Sequence, residues 1–352
     1  MTARIAIDRA RPLCDVGRTR VWRASLLCCL LIACAACARG STLASAIGDD
    51  EFRALVDGLS EPPGAFLVSD NLVSNEPHVA ENARWVRRAG GVYVGVGPEQ
   101  NFTYIAALRP RLAFIVDIRR ENRNLHLLYK ALFELSKDRA EFVSRLFSRP
   151  RPDGLASQSS VDEIFHIYAN VPPSRALYAD TAARVREQLA ARRHFPLSEA
   201  DVAFIDHVLT SFLEDGPEIH FWGSRRVDAN RPSYRELMTS KDLSGQSRSF
   251  LTSEDGFGFV KDLQSRNLIV PVVGDFGGPT AIRRVGDYVR DHRSRVEAFY
   301  GSNVAVYLTE RQSRAFCRNL ASLPAAADAV FIESIGVRSL AAKVKACAPG
   351  KP

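Results

Sequence analysis

The chain has 352 residues, of which 46% are hydrophobic and 25% charged, and its formal net charge is +7. This length suffices for one elaborated domain or two smaller ones, and the composition is that of an ordinary globular protein. Residues 1–37 hold six arginines and two aspartates, which account for +4 of the charge and leave +3 for the rest. A basic surface for nucleic acid is therefore not expected, and no His/Cys cluster has the spacing of a zinc site.

The first segment, residues 1–38, has the pattern of an export leader. An apolar run of about fifteen residues (24–38) follows several arginines, which is too short for a transmembrane helix and typical of a signal-peptide core. The sequence Leu-Ile-Ala-Cys that ends at Cys34 resembles the lipobox of bacterial lipoproteins, in which the cysteine is lipidated. Cys37 and a peptidase site at 44–46 are alternatives, as is a leader with a chance apolar patch. The leader predicts an exported lipoprotein whose only membrane contact is an anchor at Cys34; without export, the protein would be cytoplasmic.

The rest of the chain is organised around a glycine turn. A short apolar run at 92–94 ends in Gly95 and Gly97, a helical pattern follows, and a second apolar run at 112–116 stops at Asp117. Strand, glycine turn, helix, strand and acid form the nucleotide-binding half of a doubly wound sheet. Glycines let the turn tighten and approach a ligand, and the carboxylate can accept hydrogen bonds from ribose hydroxyls.

Two residues of this turn discriminate between nucleotides. Gln100 occupies the place of the third glycine in the dinucleotide fingerprint, and Pro98 lacks the N–H that a pyrophosphate would use. Both favour a ligand without phosphates, and hence S-adenosylmethionine over NAD. A nicotinamide-dependent oxidoreductase stays an alternative, because Asp117 lies about twenty residues beyond the glycines.

Elements beyond Asp117 alternate between strands and helices, with one interruption. Helical patterns are predicted at 121–136, 161–169, 174–193, 197–214, 254–266, 280–292 and 310–323. Strands are predicted at 267–275, 303–308 and 329–332. Residues 138–236 lack the strand–helix alternation and predict a helical insertion that is large enough to cover a cleft.

These patterns together predict an α/β fold with a doubly wound, mostly parallel Rossmann-like sheet and a helical insertion. Short continuous apolar runs are typical of parallel strands that are buried on both faces. The predicted divisions are a leader, a first half of the sheet domain, the insertion, a second half and a tail, at residues 1–38, 39–137, 138–236, 237–340 and 341–352.

Three residues are candidates for acid–base chemistry. Glu76 ends a polar loop that either touches a ligand or only makes turns and caps. Asp275 follows the strand at 267–275, where turn chemistry is an equal alternative. His220 lies in an aromatic-rich segment at 218–223, which is a strand or a cleft lining, and a structural role is the alternative for this histidine.

One helix carries a polar line along its length. Asn122, His126 and Lys130 follow at intervals of four residues in the helix predicted at 121–136. Such a line is typical of a solvated helix face, so the prediction places these three side chains in water.

Two cysteines, Cys317 and Cys347, lie outside the leader and its immediate surroundings. An exported chain could join them in a disulfide, but two cysteines in different late elements can equally stay free. The sequence leaves both possibilities open.

Several of these segments resemble a bacterial family of uncharacterised proteins with a class I S-adenosylmethionine-dependent methyltransferase-like fold. The segments are 94–102, 114–122, 125–130, the loop 74–76 and 270–278, so the resemblance spans roughly residues 50–335. It implies that the glycines lie under the methionine part of the ligand, that Asp117 binds the ribose, and that Asp275 lies near the methyl-transfer end. The cofactor-binding residues would be Gly95, Gly97, Glu99, Gln100, Asn101, Asp117, Ile118 and Arg119.

The chain departs from that methyltransferase pattern at identifiable positions. Tyr93 stands where an acid commonly helps to bind the ligand's amino group, Glu99 stands where a third glycine often lies, and Asp275 does not open an Asn/Asp-Pro-Pro-Tyr motif.

Three hypotheses follow. The first is a methyltransferase that acts on a small molecule or on another, unknown acceptor. The second is a non-catalytic exported lipoprotein that binds a ligand or partner, and the third is the nicotinamide-dependent oxidoreductase. Because S-adenosylmethionine is kept in the cytosol, export and methyl transfer conflict. The sequence specifies neither the substrate nor the oligomeric state.

Overall fold

A computed structural model describes residues 41–66, 71–87, 89–221 and 231–347. The predicted leader with Cys34 lies outside these residues, and so does part of the predicted segment 218–223. None of the helices within these ranges combines the length and the apolarity that a membrane crossing requires.

Six strands form one sheet in the described part of the chain, in the order β3-β2-β1-β4-β5-β6. Their bounds are Val92–Gly95 (β1), Leu112–Asp117 (β2), Ile269–Val273 (β3), Val296–Ser302 (β4), Ala325–Glu333 (β5) and Val337–Ser339 (β6). Neighbouring strands run parallel, except that β5 and β6 are antiparallel. The order reverses at β1, as in a doubly wound sheet, so right-handed crossovers place helices on both faces.

Strands β1, β2 and β3 are buried along their whole length, as their continuous apolar sequences predict. Every residue of β1, β2 and β3 is buried. Pro271 lies in the middle of β3 and pairs with Ile115 of β2. A proline has no backbone N–H to donate to a neighbouring strand, and β3 tolerates it because β3 forms an edge of the sheet.

Thirteen α-helices accompany the sheet within the described ranges. They are Asp49–Leu59 (α1), Val79–Arg84 (α2), Gln100–Leu108 (α3), Arg120–Leu135 (α4), Arg139–Leu146 (α5), Val161–Asn170 (α6), Arg175–Arg186 (α7), Glu199–Asp215 (α8), Tyr234–Thr239 (α9), Glu254–Ser265 (α10), Ala281–Asp291 (α11), Glu310–Ser322 (α12) and Leu340–Ala346 (α13). The fold is thus α/β, with a mostly parallel sheet.

The chain between β2 and β3 consists of helices and their connections wherever it is described. Ser198 and Asp201 form a capping box at the start of α8, where the sequence comes close to that pattern. The Asp201 carboxylate also accepts hydrogen bonds from Arg120, Arg123 and Asn124. This cluster of charge-assisted bonds fastens α8 to α4.

The strand predicted at 303–308 is wrong. The fourth strand is Val296–Ser302, and Val304–Tyr307 forms a 3-10 helix. Val306 is 79% exposed, so the alternating valines of this segment do not indicate a buried strand. The buried run inside β4 pairs instead with β1 and β5.

The solvated face predicted for Asn122, His126 and Lys130 is also wrong, because all three side chains are buried. Helix α4 packs against β2 and β3 and also against α7, α8 and α10, which leaves it no free face. The Nε2 atom of His126 lies 2.8 Å from the carbonyl oxygen of Gly97. Lys130 donates to Glu134 and to a backbone carbonyl. Burial lowers the pKa of His126 to about 4.

Cys317 and Cys347 form a disulfide, with their Cα atoms 5.5 Å apart. The bond joins α12 to the residue that follows α13. It resolves the choice that the sequence leaves open.

Candidate functional site

A cleft of about 190 Å³ opens at the carboxyl ends of β1 to β4. Its wall contains residues at or just beyond the end of each strand: 96–98 for β1, 117–119 for β2, 274–276 for β3 and 302–304 for β4. Ligands of doubly wound sheets bind in this position, where the strand order reverses. The structure therefore brings the glycine turn, Asp117 and Asp275 to one cleft.

The two positions of the turn require glycine for different physical reasons. Gly97 lines the cleft and has a φ of +78°, a backbone conformation that favours glycine. Gly95 does not line the cleft; a Cβ atom there would lie 2.1 Å from Oδ1 of Asn101 and 2.6 Å from the Tyr93 hydroxyl. Gly95 is therefore required by packing inside the protein.

Asn101 holds the turn from within. It is fully buried, and its Nδ2 atom donates to the carbonyl oxygens of residues 96–98 at 2.8–3.0 Å. Its Oδ1 atom accepts a hydrogen bond of 2.8 Å from the Tyr93 hydroxyl. Asn101 does not line the cleft, so it shapes the turn and makes no direct contact there.

Glu99 is fully buried as well, and it is absent from the cleft wall. Its two carboxylate oxygens accept the N–H of Ser74 at 3.1 and 3.2 Å. Burial raises the pKa of Glu99 to about 8. The bond holds the polar loop against the glycine turn, and the same loop places Asn71, Asn75 and Glu76 on the cleft wall.

Asp117 reaches the cleft with a cationic partner. Its carboxylate accepts the backbone N–H of Arg119 at 2.9 Å and two guanidinium N–H groups at 3.1 Å. Both residues are buried, and both line the cleft together with Ile118. The guanidinium also lies over the ring of Phe66, at 5.8 Å. An ionised carboxylate has about four lone-pair sites, so one stays available to a ligand hydroxyl.

Glu76 lies on the β4 side of β1, opposite to Asp117 on the β2 side. Its carboxylate accepts hydrogen bonds from the hydroxyls of Tyr300, at 2.6 Å, and Ser302. Burial raises the pKa of Glu76, and these two hydrogen bonds oppose the increase. The Tyr300 hydroxyl also accepts a bond of 3.2 Å from Gln100, another residue of the cleft wall.

Asp275 is half-buried at the end of β3. Its carboxylate accepts the N–H of Gly277 at 2.8 Å and a side-chain N–H of Gln312 at 3.2 Å. The first bond is the turn chemistry that the sequence offers as an alternative. Asp275 also lines the cleft, so it can reach a ligand.

Sequence reasoning missed Glu61, which stabilises the end of β3 from outside. Its carboxylate accepts the backbone N–H groups of Asp275, Thr280 and Ala281 at 2.6–3.2 Å. Glu61 thereby caps the first turn of α11, where a carboxylate is favourable. It lies before a Pro-Pro-Gly sequence that signals only a turn.

The strand order separates Glu76 from Asp275, the two candidate bases of the cleft wall. β3 is the edge strand and lies three positions from β4, a distance of about 14 Å at ordinary strand spacing. Asp275 therefore lies at one end of the cleft, and Glu76 lies at the other with Ser302 and Asn303. Ser302 and Asn303 are not among the predicted site residues, because the sequence pattern places the fourth strand at 303–308 and not at Val296–Ser302.

His220 is not part of the cleft wall. Its ring Nδ1 lies 3.0 Å from the carbonyl oxygen of Arg231, a contact within the protein. The neighbouring Phe221 does line the cleft. The described part of the segment 218–223 forms no strand; it begins at the end of a 3-10 helix, Gly216–Glu218.

The remaining wall of the cleft is largely apolar. The rings of Phe66 and Tyr307 meet edge to face with centroids 5.0 Å apart, and Val116, Ile118 and Phe276 complete this side. A flat aromatic base can pack against such a surface. Within the described ranges, no group of three or more His, Cys, Asp or Glu side chains is arranged to hold a metal ion.

Comparison with curated proteins finds no match for the chain. A family profile described as "Domain of unknown function (DUF7790)" matches residues 71–157 and 220–348, more than half of the chain. The matched ranges contain the six strands of the sheet and the three carboxylates of the cleft wall, Glu76, Asp117 and Asp275. The unmatched residues between them contain α6, α7 and α8 and lie inside the predicted helical insertion. The chain therefore belongs to the family of this domain of unknown function, DUF7790.

Proposed function

We propose that the cleft binds S-adenosylmethionine and that the protein is a methyltransferase-like enzyme with a small-molecule acceptor. The observation that carries this proposal is the meeting of four parallel strand ends in one cleft beside a glycine turn. An antiparallel edge strand on an otherwise parallel sheet is common among doubly wound folds, so β6 is compatible with the proposal without being specific to it.

The charges of the cleft wall support a cationic ligand. Glu76, Asp117 and Asp275 line the cleft, and Arg119 is the single cation among its lining residues within the described ranges. S-adenosylmethionine carries a sulfonium and an ammonium group, which such a surface favours. The missing N–H at Pro98 further disfavours a pyrophosphate and therefore NAD.

The adenosine part of the ligand is assigned to the β2 side of the cleft. The apolar wall around Phe66 and Phe276 would pack against adenine, and the remaining lone-pair site of Asp117 would accept a ribose hydroxyl. The methionine part would then pass over Gly97 toward β4. The turn offers no comparable support for a nicotinamide cofactor, since Pro98 and Gln100 both disfavour one.

Bound S-adenosylmethionine supplies an already activated methyl group, so the protein has mainly to align the acceptor. Ser302 and Asn303, at the end of β4, provide polar groups for that alignment. Of the three candidate bases, Glu76 and Asp275 line the cleft, whereas His220 does not.

Isothermal titration with S-adenosylmethionine and S-adenosylhomocysteine tests the proposal. Both should bind, and Asp117→Asn should weaken both by about tenfold or more, because hydrogen bonds to charged groups contribute about 1.5–3 kcal/mol. Asp287→Asn, at an exposed ion pair on α11, is the matched control and should change neither affinity. If neither ligand produced binding heat or a thermal shift, the proposal would be refuted. Binding of NAD(H) in their place would favour the oxidoreductase.

A second candidate function is supported by the disulfide between Cys317 and Cys347. Disulfides persist mainly in oxidising compartments outside the cytosol. Together with the predicted leader, this bond favours an exported lipoprotein that uses the cleft to bind a ligand without methyl transfer. Membrane fractionation tests the anchor: Cys34→Ser should release the protein, whereas Cys37→Ser should not. An unchanged distribution of the Cys34 variant would exclude lipidation at that residue.

A further inference from the structure

Glu76 is a buried carboxylate that lines the cleft without a cation beside it. It is 3% exposed, and among the described residues its interactions are hydrogen bonds from Tyr300 and Ser302. Each carboxylate oxygen receives one of these bonds, which leaves about two lone-pair sites unused. A buried carboxylate without a cationic partner is unfavourable, so a cation brought by a ligand would stabilise this end of the cleft.

Gln100 adds a second acceptor on the same wall. Its Nε2 atom donates to the Tyr300 hydroxyl at 3.2 Å and to the Val96 carbonyl at 3.3 Å, which fixes the orientation of the amide. Its Oε1 atom is buried and has no hydrogen-bond partner among the described residues. Asn71, which also lines the cleft, has an Oδ1 atom in the same condition. Two residues of the cleft wall thus each carry a buried amide oxygen for which the described part of the chain supplies no donor.

Tyr300 brings the first two acceptors together. Its hydroxyl accepts from Gln100 and donates to Glu76, so both side chains are held by one oxygen atom. Tyr300 lies near the end of β4, next to β1, where the strand order reverses. The acceptors therefore lie at the β4 side of the cleft, away from Asp117 and Asp275.

We propose that Glu76 and Gln100 form a subsite for a primary ammonium group, which binds the α-amino group of the ligand's methionine part. An ammonium carries three N–H donors and no acceptor, which matches a carboxylate together with unpaired amide oxygens. The assignment rests on the proposed function, since the ligand class supplies the amino group. It also bears on Tyr93: methyltransferases commonly carry an acid at that position, where it helps to bind the ligand's amino group, and here Glu76 would supply a carboxylate from a different segment.

The same carboxylate could instead act as a base toward the acceptor, and the two roles differ in what they change. A base affects turnover and leaves ligand affinity intact, whereas an ammonium subsite controls affinity and only for ligands with the amino group. Asp275 is less suited to this role, because it is only half-buried and follows the edge strand β3, three strand positions from the β4 side of the cleft.

The test compares two probes on the full chain by isothermal titration. S-adenosylhomocysteine carries the amino group, and its des-amino analogue lacks only that group. The wild-type protein should bind the analogue about 10- to 100-fold more weakly, the range expected for a charged hydrogen bond. Glu76→Gln should weaken S-adenosylhomocysteine by a similar factor and leave the analogue within about twofold. Asp262→Asn, on the exposed surface of α10, should change neither affinity.

Equal wild-type affinity for the two probes would overturn the subsite and leave the proposed function standing. A Glu76→Gln variant that weakens both probes equally, or neither, would also overturn it. Failure of the wild-type protein to bind either probe would overturn the proposed function and this assignment with it. The wild-type comparison requires no substitution, so it decides the matter even where the variant does not fold.

Discussion

Asn101 holds the glycine turn through hydrogen bonds that lie wholly inside the protein, and its replacement by alanine tests that role. The side chain is fully buried and is not itself part of the cleft wall; it supports wall residues 96–98 from behind. If Asn101 shapes the turn, Asn101→Ala should reduce the stability of the whole chain. If it were mainly a ligand contact, the substitution would reduce affinity alone.

The magnitude follows from the bonds that are lost. The two N–H groups of Asn101 serve three carbonyl oxygens, and its Oδ1 serves the Tyr93 hydroxyl, so three bonds at full strength disappear. At about 1 kcal/mol for each bond, the free energy of unfolding should fall by about 3 kcal/mol. The substitution also leaves the Tyr93 hydroxyl buried without a partner. Tyr93→Phe should therefore be damaging in the wild-type background and nearly neutral beside Asn101→Ala.

Urea denaturation of the four chains of this double-mutant cycle measures the coupling directly, and about 1 kcal/mol or more is expected. Asn170→Ala is the matched control, because Asn170 is exposed and makes a single side-chain bond at the end of α6. It should change stability by less than about 0.5 kcal/mol. A loss below about 1 kcal/mol for Asn101→Ala, or equal effects of Tyr93→Phe in both backgrounds, would refute the reasoning.

Three further predictions concern pH and the disulfide. Glu99 has a pKa of about 8 in the folded protein against an ordinary value of 4.5, so the folded chain holds this proton more tightly and the free energy of unfolding falls as pH rises through that window. Relative to the wild type, Glu99→Gln should therefore become more stable between pH 5 and 8 in urea titrations. Parallel curves of stability against pH for the two proteins would contradict this. His126 has a pKa of about 4 against 6.5, so the unfolded chain binds its proton first and stability falls as pH drops from 6.5 toward 4; His126→Gln should lose less in that range, and an equal loss would exclude His126 as the cause. Reduction of the Cys317–Cys347 bond, which closes a 30-residue loop, should lower the free energy of unfolding by about 3–4 kcal/mol, whereas a stability insensitive to reductant would show that the bond does not constrain the chain.

The sequence predicts the first half of the sheet well because the signals there are local. A continuous apolar run, a glycine turn and a terminal acid suffice to place β1, α3 and β2. The strand at Ile269–Val273 is also recognisable, since its apolar run is bounded by turn residues. In these cases, the residues that determine the element belong to the element itself.

The fourth strand shows where local signals fail. Residues 303–308 are an almost continuous apolar run, yet Val304–Tyr307 forms a 3-10 helix beside the cleft. Val296–Ser302 is a strand because it lies between β1 and β5 and pairs with both. Which of the two neighbouring segments becomes the strand depends on these distant partners, so the apolar pattern within a segment cannot reveal it.

The buried polar residues escape sequence reasoning for the same reason. The sequence around Glu76 indicates only a turn, because the residue that donates to its carboxylate, Tyr300, lies 224 positions later in the chain. His126 looks solvated until the carbonyl of Gly97 and the packing of several helices enclose it. A polar side chain is read correctly only when its partner is known, and these partners come together only in the folded chain.

The structure of the protein with S-adenosylhomocysteine bound tests the central claim most directly. We expect adenosine beside Asp117 and the apolar wall, and the amino group within hydrogen-bond distance of Glu76 and Gln100. A cleft that stays empty at saturating ligand, or a ligand bound outside the ends of β1 to β4, would contradict it.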